Sequence, residues 1–363
     1  MKGFGRVLLL WLVRLFFRPA SEPPPAIDVG RIAKLLVVRT DTRVGNVLLT
    51  TPLVRALKRG LPHARVDFLV AAGKQRLVEG LADRTVVFAK TDFFRAPWRF
   101  VGFLRALRHE RYDAVVEAGH WHAFSFTSLW LARAVGAPVR IGHARGLSER
   151  FLTHGVKKDP TLVREVPSKL ELLRPLGLEP DGERLDTTID TADPDAAQAV
   201  EKVQALVQGK RYAALNPGAR KADHRWPAEA FGSLARRLHL SSDLVPLVLW
   251  GPGEEAIAQA VVEASGGTAV LAPPTRLGAL AALFRGCAVV VTNDTGPMHL
   301  AVATGAPVVA TLLAEDGARW SHAGRFEGVA VADGSEASVE RVCAAAMRLL
   351  ERGPTRGSDE PAG

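Results

Sequence analysis

The stretch TNDTGPMHLAVATGAP combines residue types that can bind a phosphate group. Asp294 or Thr295 can cap a helix, and Pro297 is suited to its first turn. Gly296 allows the backbone to approach a ligand, while unpaired N–H groups and the helix dipole attract an anion. His299, in the same turn, can donate to a phosphate or a sugar hydroxyl. An ordinary capped helix with a packed histidine is the alternative interpretation.

A second stretch, NPGARKADHRWPAEAF, places basic side chains directly before a predicted helix that begins near Pro227. Lys221, His224 and Arg225 can supply positive charge to phosphates. Gly218 permits close approach of the backbone. If this turn and the preceding one face the same ligand, the phosphate interpretation of both becomes stronger.

Two further turns carry polar residues after apolar runs. RTDTRVGNVLLTTP contains Asp41, Gly45 and Asn46 between a predicted strand and a predicted helix, and EAGHWH places Glu117 at the end of another strand. A carboxylate in such a turn can accept a proton from a reacting hydroxyl. The sequence therefore predicts acid–base chemistry at the turns that contain Asp41 and Glu117. It predicts anion binding at the turns that contain Lys221 and Asp294.

The stretch LWGPGEEA matches the glycine pattern of a dinucleotide-binding turn. It follows the second strand of its half of the chain, and the next strand, TAVLAPP, ends without an acidic residue for a ribose. A nicotinamide-dependent oxidoreductase is therefore a weak alternative. We expect instead that Glu254 or Glu255 caps the following helix or binds the ribose hydroxyls of another nucleotide.

These turns belong to a repeated alternation of short apolar strands and amphipathic helices, which predicts parallel sheets covered by helices. A segment rich in Pro, Gly and Asp interrupts the alternation near the middle of the chain. The predicted fold class is α/β, with two Rossmann-like doubly wound domains facing a cleft. The predicted parts are a Rossmann-like domain over 32–180, a linker region over 181–210 and a second Rossmann-like domain over 211–350.

Composition limits the classes of protein that need to be considered. The 363 residues are 47% hydrophobic and carry a formal net charge of +9, which favours anionic partners. No basic cluster alternates with aromatic residues, so nucleic acid is not expected as a partner. Only Cys287 and Cys343 are present, and neither a disulfide framework nor a cysteine metal site is expected.

The N-terminal segment MKGFGRVLLLWLVRLFFRP is predicted to lie on an anionic membrane surface. Lys2, Arg6, Arg14 and Arg18 fall on one side of a helix, and Arg14 interrupts the apolar run, so the segment should not span a bilayer. A signal peptide, or a helix packed on the protein itself, is the alternative. Residues 1–31 are thus predicted to form this segment and a proline-rich linker, and 351–363 a disordered tail.

Taken in order, four blocks resemble the heptosyltransferase family, glycosyltransferase family 9. They are LLVVRTDTRVGNVLLTTPLVRALKRGLPHARVDFLV, YDAVVEAGHWHAFSFTSLWLARAVGAPVRIGHARG, NPGARKADHRWPAEAF and VVVTNDTGPMHLAVATGAPVVA, and the resemblance extends from about residue 34 to about 350. It implies a GT-B arrangement and transfer of a sugar from a nucleotide donor, typically ADP-heptose, to the lipopolysaccharide inner core. It also implies that Asp294, Thr295, Gly296 and His299 hold the donor diphosphate and adjoining sugar.

The chain departs from the family pattern at two positions. His224 stands where the family usually has a lysine, so Arg225 or Lys221 is expected to supply the charge. Asn46 stands where the family has an aspartate proposed as the base, and an amide cannot accept that proton. Asp41 is our first candidate for the base, Glu117 the second, and His120 or His122 the third; Asp41 can alternatively cap the helix or pair with Arg43.

The resulting prediction is an inverting, metal-independent glycosyltransferase that needs no cofactor besides its nucleotide-sugar donor. The donor-binding residues are predicted to be Gly45, Gly218, Lys221, His224, Arg225, Glu255, Asp294, Thr295, Gly296 and His299. The acceptor is expected to be a lipid-linked or phosphorylated glycan at the inner face of the cytoplasmic membrane. The alternatives are a catalytically impaired relative that binds nucleotide sugar or glycan, and a GT-B transferase that uses another donor sugar.

Overall fold

The computed structural model describes residues 26–190, 193–313 and 317–352. The chain forms two compact units that divide between Asp186 and Thr187, inside the predicted linker region. The amphipathic helix predicted near the N-terminus and nearly all of the predicted tail lie outside the described residues. In the part of the chain that the structure describes, no helix is long and apolar enough to cross a membrane.

The first unit is built on a parallel sheet whose strand order is β3-β2-β1-β4-β5-β6. Its strands are β1 (Lys34–Arg39), β2 (Arg65–Ala71), β3 (Arg84–Phe88), β4 (Ala114–Glu117), β5 (Val139–His143) and β6 (His154–Val156). Its α-helices are α1 (Val44–Leu48), α2 (Thr51–Gly60), α3 (Asp92–Arg95), α4 (Pro97–His109), α5 (Phe126–Ala134) and α6 (Glu165–Leu170).

The second unit repeats this topology, with the order β12-β11-β10-β7-β8-β9, again parallel throughout. Its strands are β7 (Tyr212–Asn216), β8 (Val245–Val248), β9 (Val270–Leu271), β10 (Val289–Asn293), β11 (Val308–Leu312) and β12 (Phe326–Ala330). Its α-helices are α7 (Ala196–Leu206), α8 (Ala228–Ser241), α9 (Glu255–Ala264), α10 (Leu277–Gly286), α11 (Gly296–Ala303) and α12 (Glu336–Glu351).

Both sheets follow from apolar runs at their centres. β1, KLLVVR, and β10, VVVTN, are buried almost along their whole lengths, as expected for strands with helices on both faces. Read outward from β1 and from β7, each sheet has the doubly wound order 3-2-1-4-5-6 of a Rossmann-like domain. This topology confirms the predicted α/β fold class.

One predicted helix differs from the structure. The apolar pattern over 47–60 predicts a single helix, whereas the chain forms α1 and α2 with a break at Leu49 and Thr50. Pro52 explains the break, because proline lacks an N–H donor and its ring clashes with the carbonyl four residues earlier. In α2 the proline lies in the first turn, where neither defect matters.

Candidate active site

In both units the candidate residues gather where the two central strands end. In the doubly wound order, the connections after the first and fourth strands leave the sheet in opposite directions, and ligands bind at that switch point. β1 and β4 pair in register there, with Val38 opposite Glu117. In the second unit, β7 and β10 pair with Asn216 opposite Thr292. Each unit therefore brings together the polar turns that the sequence indicated.

The turn after β1 holds the Asp41 carboxylate in a fixed orientation. Asp41 Oδ1 accepts a hydrogen bond from the Arg43 backbone N–H at 2.9 Å, and Oδ2 accepts one from Asn46 Nδ2 at 2.6 Å. Asn46 and Gly45 are buried in α1, whereas the Asp41 side chain stays 30% exposed. Asp41 thus holds the turn and keeps access to solvent. It is not the N-cap residue of α1, which is Arg43, and its ion pair is with Arg39 rather than with the Arg43 side chain.

The surroundings keep Asp41 ionised. Burial favours the neutral acid, but three interactions outweigh it and lower the pKa of Asp41: the Arg43 N–H bond, the charge of Arg39 and the Asn46 amide bond. The Arg39 guanidinium lies 3.6 Å from Asp41 Oδ2. The carboxylate is therefore ready to accept a proton at neutral pH, although its low pKa makes it a weak base.

Arg39, the last residue of β1, joins the turns after β1 and β4. Its side chain is 3% exposed, Nη1 donates to the Ala118 carbonyl at 2.7 Å, and Nη2 donates to His120 Nε2 at 2.7 Å. Arg39 is a functional residue that its type and spacing in the sequence did not indicate. Its position at the end of a strand, two residues before Asp41, could have indicated a functional role. Its partners Ala118 and His120 could not be predicted, because they are about 80 residues away in the chain.

A buried ionic group lies beneath this junction. Because His120 Nε2 accepts from Arg39, His120 Nδ1 carries the proton and donates to Glu165 Oε1. Lys169 Nζ lies 3.0 Å from the same oxygen and donates to the carbonyls of Ala118 and Gly119. Both Glu165 and Lys169 are only 1% exposed. Through these bonds to Ala118, Gly119 and His120, the cluster holds the turn after β4 in place.

The protonation states of the group follow from burial and from its charges. Burial and the nearby cations Lys169 and Arg39 outweigh the bond to Glu165 and lower the pKa of His120 to about 3, so the ring is neutral. Burial raises the pKa of Glu165, but Lys169 and His120 outweigh it and hold the pKa below its usual value. Burial outweighs the attraction of Glu165 and lowers the pKa of Lys169 to about 8. The group is a neutral imidazole between a carboxylate and two cations.

The same residues raise the question of a metal. His120, His122 and Glu165 present ligand atoms within 4.8 Å of one another. However, both nitrogens of His120 are already in hydrogen bonds, Nε2 with Arg39 and Nδ1 with Glu165, and Lys169 already neutralises Glu165. A cation there would face two positive side chains, so this arrangement is poorly suited to a metal ion.

Glu117 does not occupy the position that its prediction as second candidate for the base required. It ends β4 as expected, but its side chain is completely buried and Oε2 accepts from Arg145 Nη2 at 2.9 Å. A Cβ on Gly119 would overlap both side chains, so the turn depends on a glycine there. Enclosure and the ion pair assign Glu117 a structural role and leave Asp41 as the exposed carboxylate of this site.

In the second unit, Asn293 links the turn after β7 to the end of β10. Asn293 Oδ1 accepts from the Trp226 backbone N–H at 3.0 Å and from Thr311 Oγ1 at 2.8 Å, and Nδ2 donates to the Pro217 carbonyl at 2.7 Å. One buried amide thereby fixes the turn after β7 against the end of β10. Asn293 stands in the TNDTG motif, but the sequence did not indicate its role, because a buried amide cannot be distinguished from an exposed one by residue type.

The N-terminus of α11 is arranged much as predicted. Thr295 occupies the N-cap position and Pro297 the first turn, but the Thr295 hydroxyl makes no capping hydrogen bond. The predicted cap is therefore absent at Thr295, although Asp294, Thr295 and Gly296 stay partly exposed. His299 is only 5% exposed, and its Nδ1 lies 2.8 Å from His322 Nε2.

The turn after β7 is held by Trp226. Its ring is 1% exposed, its Nε1 donates to the Asp333 carbonyl at 2.8 Å, and α8 begins two residues later at Ala228. Arg225 is half-buried, with Nε donating to the Ala219 carbonyl at 2.7 Å, and His224 is half-buried beside it. Lys221 is exposed. The three basic side chains therefore lie on one short turn anchored by a buried tryptophan.

The glycine-rich turn after β8 contacts this basic turn. Glu254 Oε2 accepts from the Gly251 N–H at 3.2 Å, and a Cβ on Gly218 would overlap the Glu254 carboxylate. Gly218 is thus required by the approach of Glu254. Glu254 occupies the N-cap position of α9 without a capping bond from its side chain, contrary to the capping interpretation.

Glu255, the first residue of α9, lines an open pocket of about 650 Å³. Trp250 forms part of the wall and is fixed by a 2.8 Å hydrogen bond from Nε1 to the Ala272 carbonyl. The remaining lining residues are Lys202, Ala205, Leu206, Leu271, Pro273 and Pro274. The pocket combines apolar walls with one carboxylate, from Glu255, and one ammonium group, from Lys202.

Comparison with known proteins places the chain in a family. Residues 101–344, more than half of the chain, match the family model described as glycosyltransferase family 9 (heptosyltransferase). Lipopolysaccharide heptosyltransferase 3 of Escherichia coli (strain K12) is 25% identical over 294 residues, which cover 76% of this chain and 81% of that protein.

Two solved structures show the same fold. The glycosyl transferase family 9 from Veillonella parvula DSM 2008 is 21% identical, with a TM-score of 0.73 over 91% of this chain and all of the other. Escherichia coli heptosyltransferase WaaC with ADP-2-deoxy-2-fluoro heptose is 21% identical, with a TM-score of 0.66 over 88% of this chain and 99% of the other. The fold is thus of the GT-B class, and the protein is a glycosyltransferase that belongs to family 9, the heptosyltransferase family.

Proposed function

We propose that the protein transfers heptose from ADP-heptose to a lipopolysaccharide core or related glycan, with inversion at the anomeric carbon. The observation that carries this proposal is the ionised, partly exposed Asp41 carboxylate, which Arg43 and Asn46 orient at the switch point of the first unit. The heptosyltransferase family and the lipopolysaccharide heptosyltransferase relative support the reaction class. The position and protonation of Asp41 support its assignment as the base that the reaction needs.

The donor is proposed to bind in the second unit. Its diphosphate would lie at the N-terminus of α11, where the Thr295 hydroxyl makes no capping hydrogen bond and the helix dipole favours an anion. Lys221 and Arg225 would add positive charge, and His299 would donate a hydrogen bond. The adenosine is assigned to the open pocket beside Trp250, with Glu255 accepting from the ribose hydroxyls.

The reaction is a direct displacement. The acceptor hydroxyl gives its proton to Asp41 Oδ2 as its oxygen attacks the anomeric carbon from the side opposite the diphosphate. The bond from that carbon to the diphosphate oxygen breaks, and ADP leaves with the electron pair. The α11 N-terminus and the basic turn stabilise the charge that develops on the diphosphate, and no covalent enzyme intermediate or metal is required.

We further propose that the acceptor is lipid-linked and reaches the enzyme at the inner face of the cytoplasmic membrane. The lipopolysaccharide acceptors in the names of the relatives support this assignment. The net charge of +9 favours both an anionic glycan and an anionic membrane surface.

The test is a donor and acceptor panel with the purified chain. ADP-heptose, ADP-glucose and UDP-N-acetylglucosamine are each offered with a truncated core acceptor, and the product is analysed by mass spectrometry and by NMR of the new anomeric centre. Heptose addition with inverted configuration supports the proposal. Transfer of a different sugar would reassign the donor, and ADP binding without product would identify a binding protein.

A further inference from the structure

The first unit exposes an unusual group of large apolar side chains. Among the described residues, four of the eight exposed large hydrophobic side chains fall within nine positions: Phe93 (52%), Phe94 (79%), Trp98 (70%) and Val101 (42%). Phe93, Phe94 and Trp98 are the only aromatic side chains among those eight described residues. Scattered apolar residues on a surface need no explanation, but a concentrated patch indicates a binding surface.

The patch has a defined geometry. α4 buries Phe100 and Leu107 in the core of the unit. At 100° per residue, Trp98 and Arg105 lie on the opposite side of the helix. The Phe93 ring packs edge-on against Phe100 at 5.1 Å, and Phe94 packs against Phe93 at 4.8 Å. The exposed rings are therefore anchored to the core.

Basic side chains alternate with these rings along the chain, contrary to the expectation that no basic cluster alternates with aromatic residues. Residues 90–109 include five Lys or Arg residues and one acidic residue, Asp92. Within the described part of the chain, no ion pair involves the exposed residues Lys90, Arg95, Arg99 or Arg105. We call these four residues, together with Phe93, Phe94, Trp98 and Val101, the aromatic–basic patch.

We propose that the aromatic–basic patch docks the enzyme on a bilayer that contains anionic lipids. Aromatic rings partition to the headgroup level of membranes, and neighbouring Arg and Lys side chains bind anionic headgroups. The inference rests on the proposed function in one respect, since a lipid-linked acceptor lies in such a bilayer. It assigns the membrane contact to a surface of the first unit, separate from the N-terminal segment.

Charge argues against two other occupants. A second copy would place the same basic patch against itself, and like charges in contact are unfavourable. The N-terminal segment carries Lys2, Arg6, Arg14 and Arg18 without an acidic residue among its first twenty, so it has no complementary charge either. An anionic surface with an apolar layer beneath it satisfies both the rings and the cations.

The test is co-sedimentation of the full-length chain with two kinds of vesicle: phosphatidylcholine alone, and phosphatidylcholine with phosphatidylglycerol. The variants are the doubles Phe94→Ser/Trp98→Ser and Arg95→Gln/Arg99→Gln. The matched control is Leu240→Ser, which removes an exposed leucine (83%) from the end of α8. Native chain and control should bind the anionic vesicles preferentially, and each double variant should bind them about tenfold more weakly.

Two solution measurements accompany the vesicles. Steady-state transfer to a lipid-free truncated acceptor should be the same for native and patch variants, and sedimentation velocity should show the same species. Native-like vesicle binding by both double variants would overturn the proposal, as would a patch-dependent change in oligomeric state or in KM for the lipid-free acceptor. Absence of transfer by every chain, with vesicle binding still dependent on the patch, would reject the proposed function and leave the docking surface standing.

Discussion

The side-chain amide of Asn46 donates a 2.6 Å hydrogen bond to the Asp41 carboxylate. The residue at the position of the family aspartate therefore orients a carboxylate five residues earlier on the same turn. Since the Arg43 N–H holds the other oxygen at 2.9 Å, the carboxylate has little rotational freedom. In this interpretation Asp41, rather than residue 46, is the base, and the Asn46 amide positions its carboxylate.

Replacing Asn46 by Asp should move the pH dependence of transfer upward. The native amide helps to lower the pKa of Asp41, so activity should persist to pH values below the ordinary range of an aspartate. Two adjacent carboxylates would share one proton and raise one pKa of the pair. The acid limb of kcat/KM should therefore shift to higher pH in Asn46→Asp. An unchanged acid limb would show that position 46 does not act on the base.

Acid should destabilise the first unit through its buried histidines. Burial, with Lys169 and Arg145, lowers the pKa of His143 to about 3, and burial likewise lowers that of His120 to about 3. The unfolded chain binds these protons near pH 6.5 and the folded chain does not, so stability falls as the pH drops from about 6.5 towards 3.

Urea unfolding at pH 7 and pH 5 measures this effect. Between pH 7 and pH 5, the free energy of unfolding should fall by about 2 kcal/mol less in His143→Leu than in the native chain. The reason is that the unfolded variant can no longer bind a proton at residue 143. His63→Gln, in an exposed turn, is the control and should keep the native difference. A His143→Leu chain with the native pH dependence would refute the assignment.

The buried Lys169–Glu165 pair should be costly to break. Lys169→Met leaves a carboxylate that is 1% exposed without its ammonium group, and we expect the free energy of unfolding to fall by about 3 kcal/mol or more. Lys58→Met is the matched control, since Lys58 and Asp83 pair at 3.0 Å with both side chains 37% exposed. Its cost should stay below about 1 kcal/mol in the same urea titration. Equal costs for the two variants would contradict the prediction.

Gly218→Ala should weaken donor binding. The added Cβ would displace the Glu254 carboxylate from the Gly251 N–H and disturb the basic turn. We expect ADP affinity, measured by titration calorimetry, to fall about tenfold or more, corresponding to about 1.4 kcal/mol. Gly102→Ala is the control, since a Cβ there meets open space. An unchanged ADP affinity in Gly218→Ala would show that this turn is not part of the donor site.

The fold was largely predictable because its signals are local. Apolar runs such as the one in β1 and glycine- or proline-bounded helices such as α8 and α10 specify elements without knowledge of distant residues. The helix break before Pro52 was missed because the hydrophobic spacing continues across it. The two doubly wound domains follow from the strand–helix alternation alone.

The site was predicted less completely because its contacts are distant in sequence. Asp41 and the α11 turn stand in recognisable strand-to-helix connections, so residue type and position indicated them. Glu165 and Lys169 look like ordinary helix residues four positions apart, and only the folded chain places them beneath His120. Glu117 illustrates the reverse case, since its strand end was predicted correctly but its partner Arg145 was not.

The central claim is that Asp41 is the base of a sugar transfer. The most direct measurement is acceptor-dependent ADP release from ADP-heptose by the native chain and by Asp41→Asn, with ADP affinity measured for both. We expect release by the native chain, a fall of about a hundredfold or more in the variant, and equal ADP affinity for both. A native rate in Asp41→Asn, or no acceptor-dependent release by the native chain, would contradict it.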